Sequence, residues 1–342
     1  MGKTVQVAAD RAFDQTKTIL PAELARGVYM RNAPSLRALK LMHLMIGTAG
    51  GRMADDVRHE IRLSDIRKIE GMAHHDKESL KPLFEELRAA VLTYDDPEAM
   101  RYTIGGLLDQ AVVDYRHEVS GDVLVSWYFG RMFRDMAAKS NHWAILDRQT
   151  VFHLGSKYSV LLFQHIASFS LYKHIKSRTF TVSELRALLG VPEGKIRRFA
   201  NLKKDALEPA IAEINQISRL ILTATPNKIG RTVASVTITW VEKDAEGKAA
   251  TKRELDQPRV GRKARRDGSA ETVESVIEFP SGSIRYTPFQ AIATANLPEP
   301  MRDLDRVAED FRAAATREGK PLRGSHVTEM FAAFCRSQKP AI

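Results

Sequence analysis

The sequence predicts a helix-rich α+β protein in which one order of elements is laid out twice and a smaller module follows. Three observations carry the prediction. Apolar residues recur every three or four positions in segments that begin at capping residues and end at glycine. Short alternating or β-branched runs separate and follow those segments. After Val241 the chain turns polar and charged before two last amphipathic segments.

The first copy runs from about Leu36 to Tyr128. SLRALKLMHLMI is a helix stopped by the glycines of GTAGG, and HEIRL is a short alternating strand. SDIRKIEG is a short helix with Ser64 as its N-cap and Gly71 past its end. DKESLKPLFEELRAAVL is a longer helix capped by Asp76, with Leu80, Leu83, Phe84, Leu87 and Val91 on one face. QAVVDYRH and DVLVSWYF are strands that turn at Ser120-Gly121. GRMFRDMAAKSNHWAILDRQ then forms a connecting helix.

The second copy, from about Phe152 to Val241, repeats the order. KYSVLLFQHIASFSLYKHI is a helix and TFTV a strand, and TVSELRALLG opens with a Thr181–Glu184 capping box and stops at Gly190. RRFANLKKDALEPAIAEINQIS puts Phe199, Leu202, Ala206, Ala210, Ile211, Ile214 and Ile217 on one helical face. Pro209 interrupts it, at a typical cost of about 3 kcal/mol in a helix interior. RLILTAT and TVASVTITWVE are strands joined by PNKIGR.

This order is that of the winged-helix form of helix-turn-helix. The fold class is therefore α+β, helix-rich: two tandem winged-helix domains with short β-hairpin wings, plus a small C-terminal module. The domains fall at residues 1–135 and 136–245, with a basic linker and the module over 246–342. EKDAEGKAATKRELDQPRVGRKARRDGSAE reads as a mobile linker. VIEFPSGSIRYTPF reads as a hairpin turning at Ser281-Gly282, and DLDRVAEDFRAAATRE and HVTEMFAAFCRSQ as closing helices.

Composition narrows the function. The net charge of +10, from 52 Lys+Arg against 42 Asp+Glu, favours a polyanionic partner. Cys335 is the only cysteine, so no intrachain disulfide forms and a reducing cytoplasm is expected. MGKTVQVAADRAFD lacks the apolar core of a secretory signal, and YSVLLFQHIASFSLY is too short and polar to span a bilayer, so no membrane partner is expected.

Catalytic patterns are missing. The sequence holds no GxxxxGK[ST], CxxC, HExxH or His-x-His. His74-His75 are adjacent and cannot share a helix face as a metal pair does, and Asp55-Asp56 and Asp95-Asp96 sit among loop residues. No catalytic residue, metal or cofactor is expected.

Binding patterns are present. In a winged helix the second helix of the motif enters the major groove, and side chains near its start reach base edges. Lys195, Arg197, Arg198, Lys203 and Lys204 lie there, five cations within ten residues and no acid between them. Lysine and arginine match phosphates and the O6/N7 acceptors of guanine, and Asn201 matches adenine. The same residues also fit a merely solvated cationic face. Lys228 and Arg231 flank Gly230 at the wing tip, where a hairpin can follow the DNA backbone. The first copy offers Lys77, Ser79 and Lys81 on a mixed face, suited to backbone phosphate or to a protein partner. PRVGRKARR adds nonspecific attraction.

Three stretches of the second copy resemble the replication initiators of iteron-containing plasmids: ELRALLG (Glu184 to Gly190), F-x-x-LK-x-x-x-L-x-PAI-x-EIN-x-IS (Phe199 to Ser218) and K-x-GR-x-V (Lys228 to Val233). PAI-x-EIN is the most specific piece. The match covers roughly Tyr158 to Trp240, and the first domain agrees in layout only. The resemblance implies a double-stranded DNA partner: monomers bind direct repeats at the origin through both domains. It also implies dimers, joined through the first domain, that repress the initiator's own promoter. Opening of an A·T-rich tract follows, with recruitment of the host replication initiator and the replicative helicase. The alternative is a winged-helix transcriptional repressor without initiation activity. An RNA-binding role fits less well, because Phe199 lies on the apolar stripe and supplies no stacking platform.

Overall fold

Apolar stripes, caps and turn glycines organise the elements of the computed structural model, which describes residues 2–340 apart from 13, 27–28, 32, 70–71, 97–99, 117–122, 171, 173, 269–277, 286, 301–302 and 324–325. The chain divides into two compact units, Met1–Arg259 and Val260–Ile342.

The first unit opens with α1 (Lys3–Asp10), β1 (Lys17–Pro21), α2 (Ala22–Arg26) and β2 (Tyr29–Arg31). The first winged helix follows: α3 (Leu36–Ala49), β3 (His59–Arg62), α4 (Leu63–Arg67), α5 (Lys77–Ala89), an added hairpin of β4 (Val91–Asp96) and β5 (Arg101–Gly106), then β6 (Leu108–Asp114) and β7 (Leu124–Phe129). α6 (Arg131–Lys139), β8 (Trp143–Asp147) and α7 (Arg148–His153) lead to the second winged helix. That domain comprises α8 (Lys157–Ser170), β9 (Ser177–Thr181), α9 (Val182–Leu188), α10 (Phe199–Leu202), a π turn over Lys203–Leu207, α11 (Glu208–Ile217), β10 (Leu220–Ile229) and β11 (Thr232–Glu242). α12 (Ala245–Asp256) ends the unit.

Both domains contain the same antiparallel sheet. β3 pairs with β7 and β7 with β6, just as β9 pairs with β11 and β11 with β10. The repeated layout is thus a repeated topology. In β3, His59 and Ile61 are buried and Glu60 and Arg62 exposed, the alternation of a sheet with one face on a core. Caps fix the helix starts. Asp76 and Ser79 form a reciprocal box on α5, and Thr181 and Glu184 form one on α9. Gly190 ends that turn at φ +61, and an added Cβ would come within 2.8 Å of both Ala33 Cβ and Leu161 Cδ1, so only glycine fits.

Several expectations are corrected. Ser64 lies inside α4, whose N-cap is Arg62 without a side-chain bond. Val91 belongs to β4, because Ala90 leaves the helical region and the chain pairs with β5 and β2. The second half of the connecting segment is a strand, β8, paired in register with β1 from Lys17↔Asp147 to Pro21↔Trp143. Part of the polar linker is α12: Asp244 caps it, accepting from Gly247 N, and Thr251 and Leu255 bury one stripe against the unit's core. No hairpin forms over the described residues 278–285, because Phe279 and Ile284 enter the module's core instead. The turns expected at Gly71 and Ser120-Gly121 lie outside the described residues.

The second unit contains α13 (Arg262–Arg266), α14 (Pro288–Asn296), α15 (Leu304–Arg317) and α16 (His326–Arg336), the last two on the expected segments. Phe279 centres its core, with ring centroids 4.7 Å from Phe289 and 4.8 Å from both Phe311 and Phe331. Cys335 is buried there, and burial pushes its thiol up to about 11. Among the described residues, no helix is long and apolar enough to cross a membrane.

The two central helices of the first unit, α3 and α8, bury histidines without charged partners. His43 Nε2 lies 3.1 Å from Gln164 Oε1, and desolvation lowers the imidazole to about 4. Burial also lowers His165 to about 3, helped by the nearby Arg178 and Arg26. Both are neutral when folded and gain protons readily only when unfolded. Stability is therefore full above the ordinary histidine value and falls as pH drops below it. Denaturant titrations should show a loss of about 2 kcal/mol per histidine between about pH 7 and pH 5. His43→Gln should remove its share of that slope; an unchanged slope would mean His43 is not the group protonated on unfolding.

Candidate nucleic-acid interface

The cationic segment nominated from the sequence begins in the turn between α9 and α10. Lys195, Arg197 and Arg198 are exposed there, while Ile196 between them turns inward against the core. Ile196 adopts φ +47, a region that β-branched residues rarely enter. The turn is held by guanidinium groups: Arg197 Nε donates to Gly194 O at 3.2 Å, and Arg186 donates to the carbonyls of Lys195 and Ile196.

From Phe199 the helix buries Leu202, Ala206, Leu207, Ala210, Ile214 and Ile217, leaving Asn201, Lys203 and Lys204 exposed. The π turn sits at Lys203–Leu207, where Glu208 N donates to Lys203 O five residues back, and Pro209 stands in the first turn of α11. Lys203 and Glu208 are consequently neighbours in space, with Nζ and Oε1 3.3 Å apart. Lys195, Arg197, Arg198 and Lys204 make no ion pair among the described residues, which leaves their charge uncompensated.

The wing strands hold 10 and 11 residues, longer than the short hairpin expected. Lys228 and Arg231 are exposed at the tip around Gly230, which adopts φ +61. Asn227 Nδ2 braces the hairpin, donating to Ser235 Oγ at 3.1 Å and Thr237 Oγ1 at 2.9 Å. Ile229, 78% exposed between the two cations, is a tip residue that charge-based reasoning passed over.

In the first domain the nominated side chains are already engaged. Lys77 Nζ lies 4.6 Å from the Tyr115 ring centroid. Ser79 Oγ accepts from Asp76 N at 2.9 Å within the capping box and lies 2.8 Å from His75 Nδ1. Lys81 Nζ sits 3.9 Å from Glu85 Oε1. Lys77 and Lys81 line an open groove of about 630 Å³ with Glu78, Glu85, Arg88 and Asp109, a mixed surface without strong bias.

The PAI-x-EIN element has structural duties. Glu213 accepts from Gly155 N at 2.6 Å and Ser159 Oγ at 2.5 Å, placing a carboxylate at the start of α8, where the helix dipole favours an anion. Asn215 exchanges two hydrogen bonds with Leu222, at 2.7 and 3.0 Å, and so joins α11 to β10. These two residues tie α11 to the rest of the domain. Among the described residues, no group of three or more His, Cys, Asp or Glu is placed to hold a metal ion.

Comparison with known proteins agrees with this architecture. The family model described as Initiator Replication protein, WH1 matches residues 26–167, and the one described as Initiator Rep protein, WH2 matches residues 181–240. A crystal structure of Pi initiator protein in complex with iteron DNA is similar at 18% identity, covering 67% of this chain and 98% of that one, with a TM-score of 0.51. A structure of domains 2 and 3 of RctB overlaps at 15% identity, 60% of this chain and 82% of that one, with a TM-score of 0.35, too low to carry an argument about fold. No curated protein sequence matches the chain. With both winged-helix models matched in order over more than half of its length, the chain belongs to the family of replication initiator Rep proteins.

Proposed function

We propose that this chain initiates plasmid replication by binding direct repeats, or iterons, at the plasmid origin. One observation carries the reading: four uncompensated cations, Lys195, Arg197, Arg198 and Lys204, stand exposed around the start of a helix whose opposite face is buried. That is the end a major groove receives. Lys228 and Arg231 would follow the backbone beside it, and Asn201 would meet adenine. Lys77 and Lys81 of the first domain would contact backbone phosphate. Binding needs no catalytic group; opening of an adjacent A·T-rich tract and recruitment of the host initiator and replicative helicase would follow from assembly on the repeats. Family membership and the iteron complex of the Pi initiator support this reading.

Affinity for a directly repeated duplex should fall with salt at a log–log slope of about −0.9 per phosphate neutralised. Lys204→Ala should cost about 1–3 kcal/mol if it meets a base, and Lys203→Ala should cost less, because Glu208 already offsets its charge. A salt-independent affinity, or two neutral substitutions, would move the contact elsewhere. Footprinting of DNA flanking the gene should protect repeats one or two helical turns apart beside an A·T-rich tract. Protection of a lone inverted repeat would instead mark a transcriptional repressor.

The dimer that would repress the initiator's own promoter would form through the first domain. β5 is an edge strand in the order β2-β4-β5, and Met100, Tyr102 and Ile104, at alternate positions in and just before it, are 91%, 70% and 59% exposed. Apolar side chains on one face of an open edge invite pairing with another strand. Tyr102→Lys combined with Ile104→Lys should leave the protein monomeric in sedimentation while preserving its thermal midpoint. A dimer that persists would place the contact outside β5.

A further inference from the structure

We propose that Arg186 is a positioning residue: it sets the backbone turn that presents Lys195, Arg197 and Arg198, and acts on nucleic acid only through them. The proposal deepens the DNA-reading role of this helix and rests on it.

The argument starts from what holds Arg186 still. It sits on α9, a helix of 7 residues whose first turn is locked by the Thr181–Glu184 box and whose inner side buries Leu185. From that fixed platform its two terminal nitrogens donate to consecutive carbonyls, Nη1 to Ile196 O and Nη2 to Lys195 O. Arg197 takes the carbonyl before them, Gly194 O. Three successive carbonyls are thus turned toward guanidinium groups. Because each peptide is planar, fixing its carbonyl fixes the direction of the next residue.

The turn needs that hold. Gly194 at φ +75 accepts its conformation freely, but Ile196 at φ +47 does not. A strained residue of this kind persists only where its surroundings over-determine it. Two constraints act on Ile196: its side chain packs against the core, and its carbonyl is bound by Arg186. Removing the second leaves a strained residue with one anchor. The planar fork of arginine spans two carbonyls at once, whereas a lysine ammonium is a single point of charge. Each terminal nitrogen of Arg186 gives one N–H to the turn's backbone, which aims the guanidinium at the turn.

Arg186→Lys in the full chain keeps the charge and loses the fork, and Arg186→Gln provides a second, uncharged variant if the first folds poorly. In DNA-free protein, trypsin should cut at Lys195, Arg197 and Arg198 about tenfold faster in either variant, with a thermal midpoint within a few degrees of the parent. Affinity for an iteron-type direct-repeat duplex should drop about tenfold. In a double-mutant cycle, Arg186→Lys and Arg197→Ala together should cost less than the sum of the two, because one acts through the other. Unchanged proteolysis, or strictly additive affinities, would overturn the positioning role. Lys204→Ala serves as the control on the underlying reading. If it weakens binding while Arg186→Lys does not, only the positioning role fails. If neither changes affinity, the reader helix is misassigned, and the proteolysis still decides whether Arg186 holds the turn.

Discussion

The packing of α3 against α8 constrains everything else in the first unit. Ten of the 14 residues of α3 and eleven of the 14 of α8 are buried. A helix buried on nearly every side is held between layers rather than laid on one. α3 packs against α5, β3, β1, α7 and α8, and α8 against α11, α9, α2, β8 and α3. One continuous core therefore runs through both domains, from Leu20 and Leu39 to Ile214 and Trp240. Such burial obliges the polar side chains of these helices to find partners inside. His43 meets Gln164 between α3 and α8, Lys40 donates to Phe152 O, and Ser159 meets Glu213 on α11. Unsatisfied, each group would cost about 1–3 kcal/mol, so these bonds also restrict which relative placements of the helices are permitted.

Much of the fold was legible because its signals are local. The Thr181–Glu184 box, the Asp76 cap, the Gly190 stop and the stripe from Leu202 to Ile217 each lie within one segment, and each is found where the spacing put it. What escaped is long-range or sparsely marked. β1 and β8 lie some 125 residues apart in the chain, and each is intelligible as a strand only once its partner is known. Val91 continues the apolar spacing of α5, yet Ala90 turns the chain into a sheet edge. α12 buries only Thr251 and Leu255, too few apolar residues to stand out from a charged stretch. Secondary structure there is imposed by tertiary packing, which local propensity does not record.

Charge was legible in the candidate site as a count but not as an arrangement. Counting basic residues does not separate Lys204, which stands free of described carboxylates, from Lys203, whose ammonium Glu208 partly offsets. It does not reveal that the hydroxyl of Ser79 is consumed by its own helix cap. Arg186 was invisible for the opposite reason. Its partners are backbone carbonyls nine and ten residues away, which carry no side-chain signature. The motif that most resembles the family turns out to be fold chemistry, since Glu213 and Asn215 bond to Gly155, Ser159 and Leu222.

Pro209 and the π turn before it answer the same geometric demand. Leu202, Ala206, Ala210 and Ile214 are spaced by four, and at about 100° per residue each step overshoots a full turn by about 40°. Across three steps an unbroken α-helix would swing the stripe roughly 120° off the core. One extra residue in a turn takes up about 100°, nearly all of that drift, and the π turn supplies it at Lys203–Leu207. In a regular helix Pro209 would lack its amide bond and press on the carbonyl of Asp205. The widened turn lies where that carbonyl must move. The proline therefore disfavours the regular alternative at the one place where burial also disfavours it. Both ends of the helix stay on the core, and Lys203 and Lys204 take their direction from a turn that neither propensity nor packing alone would place there.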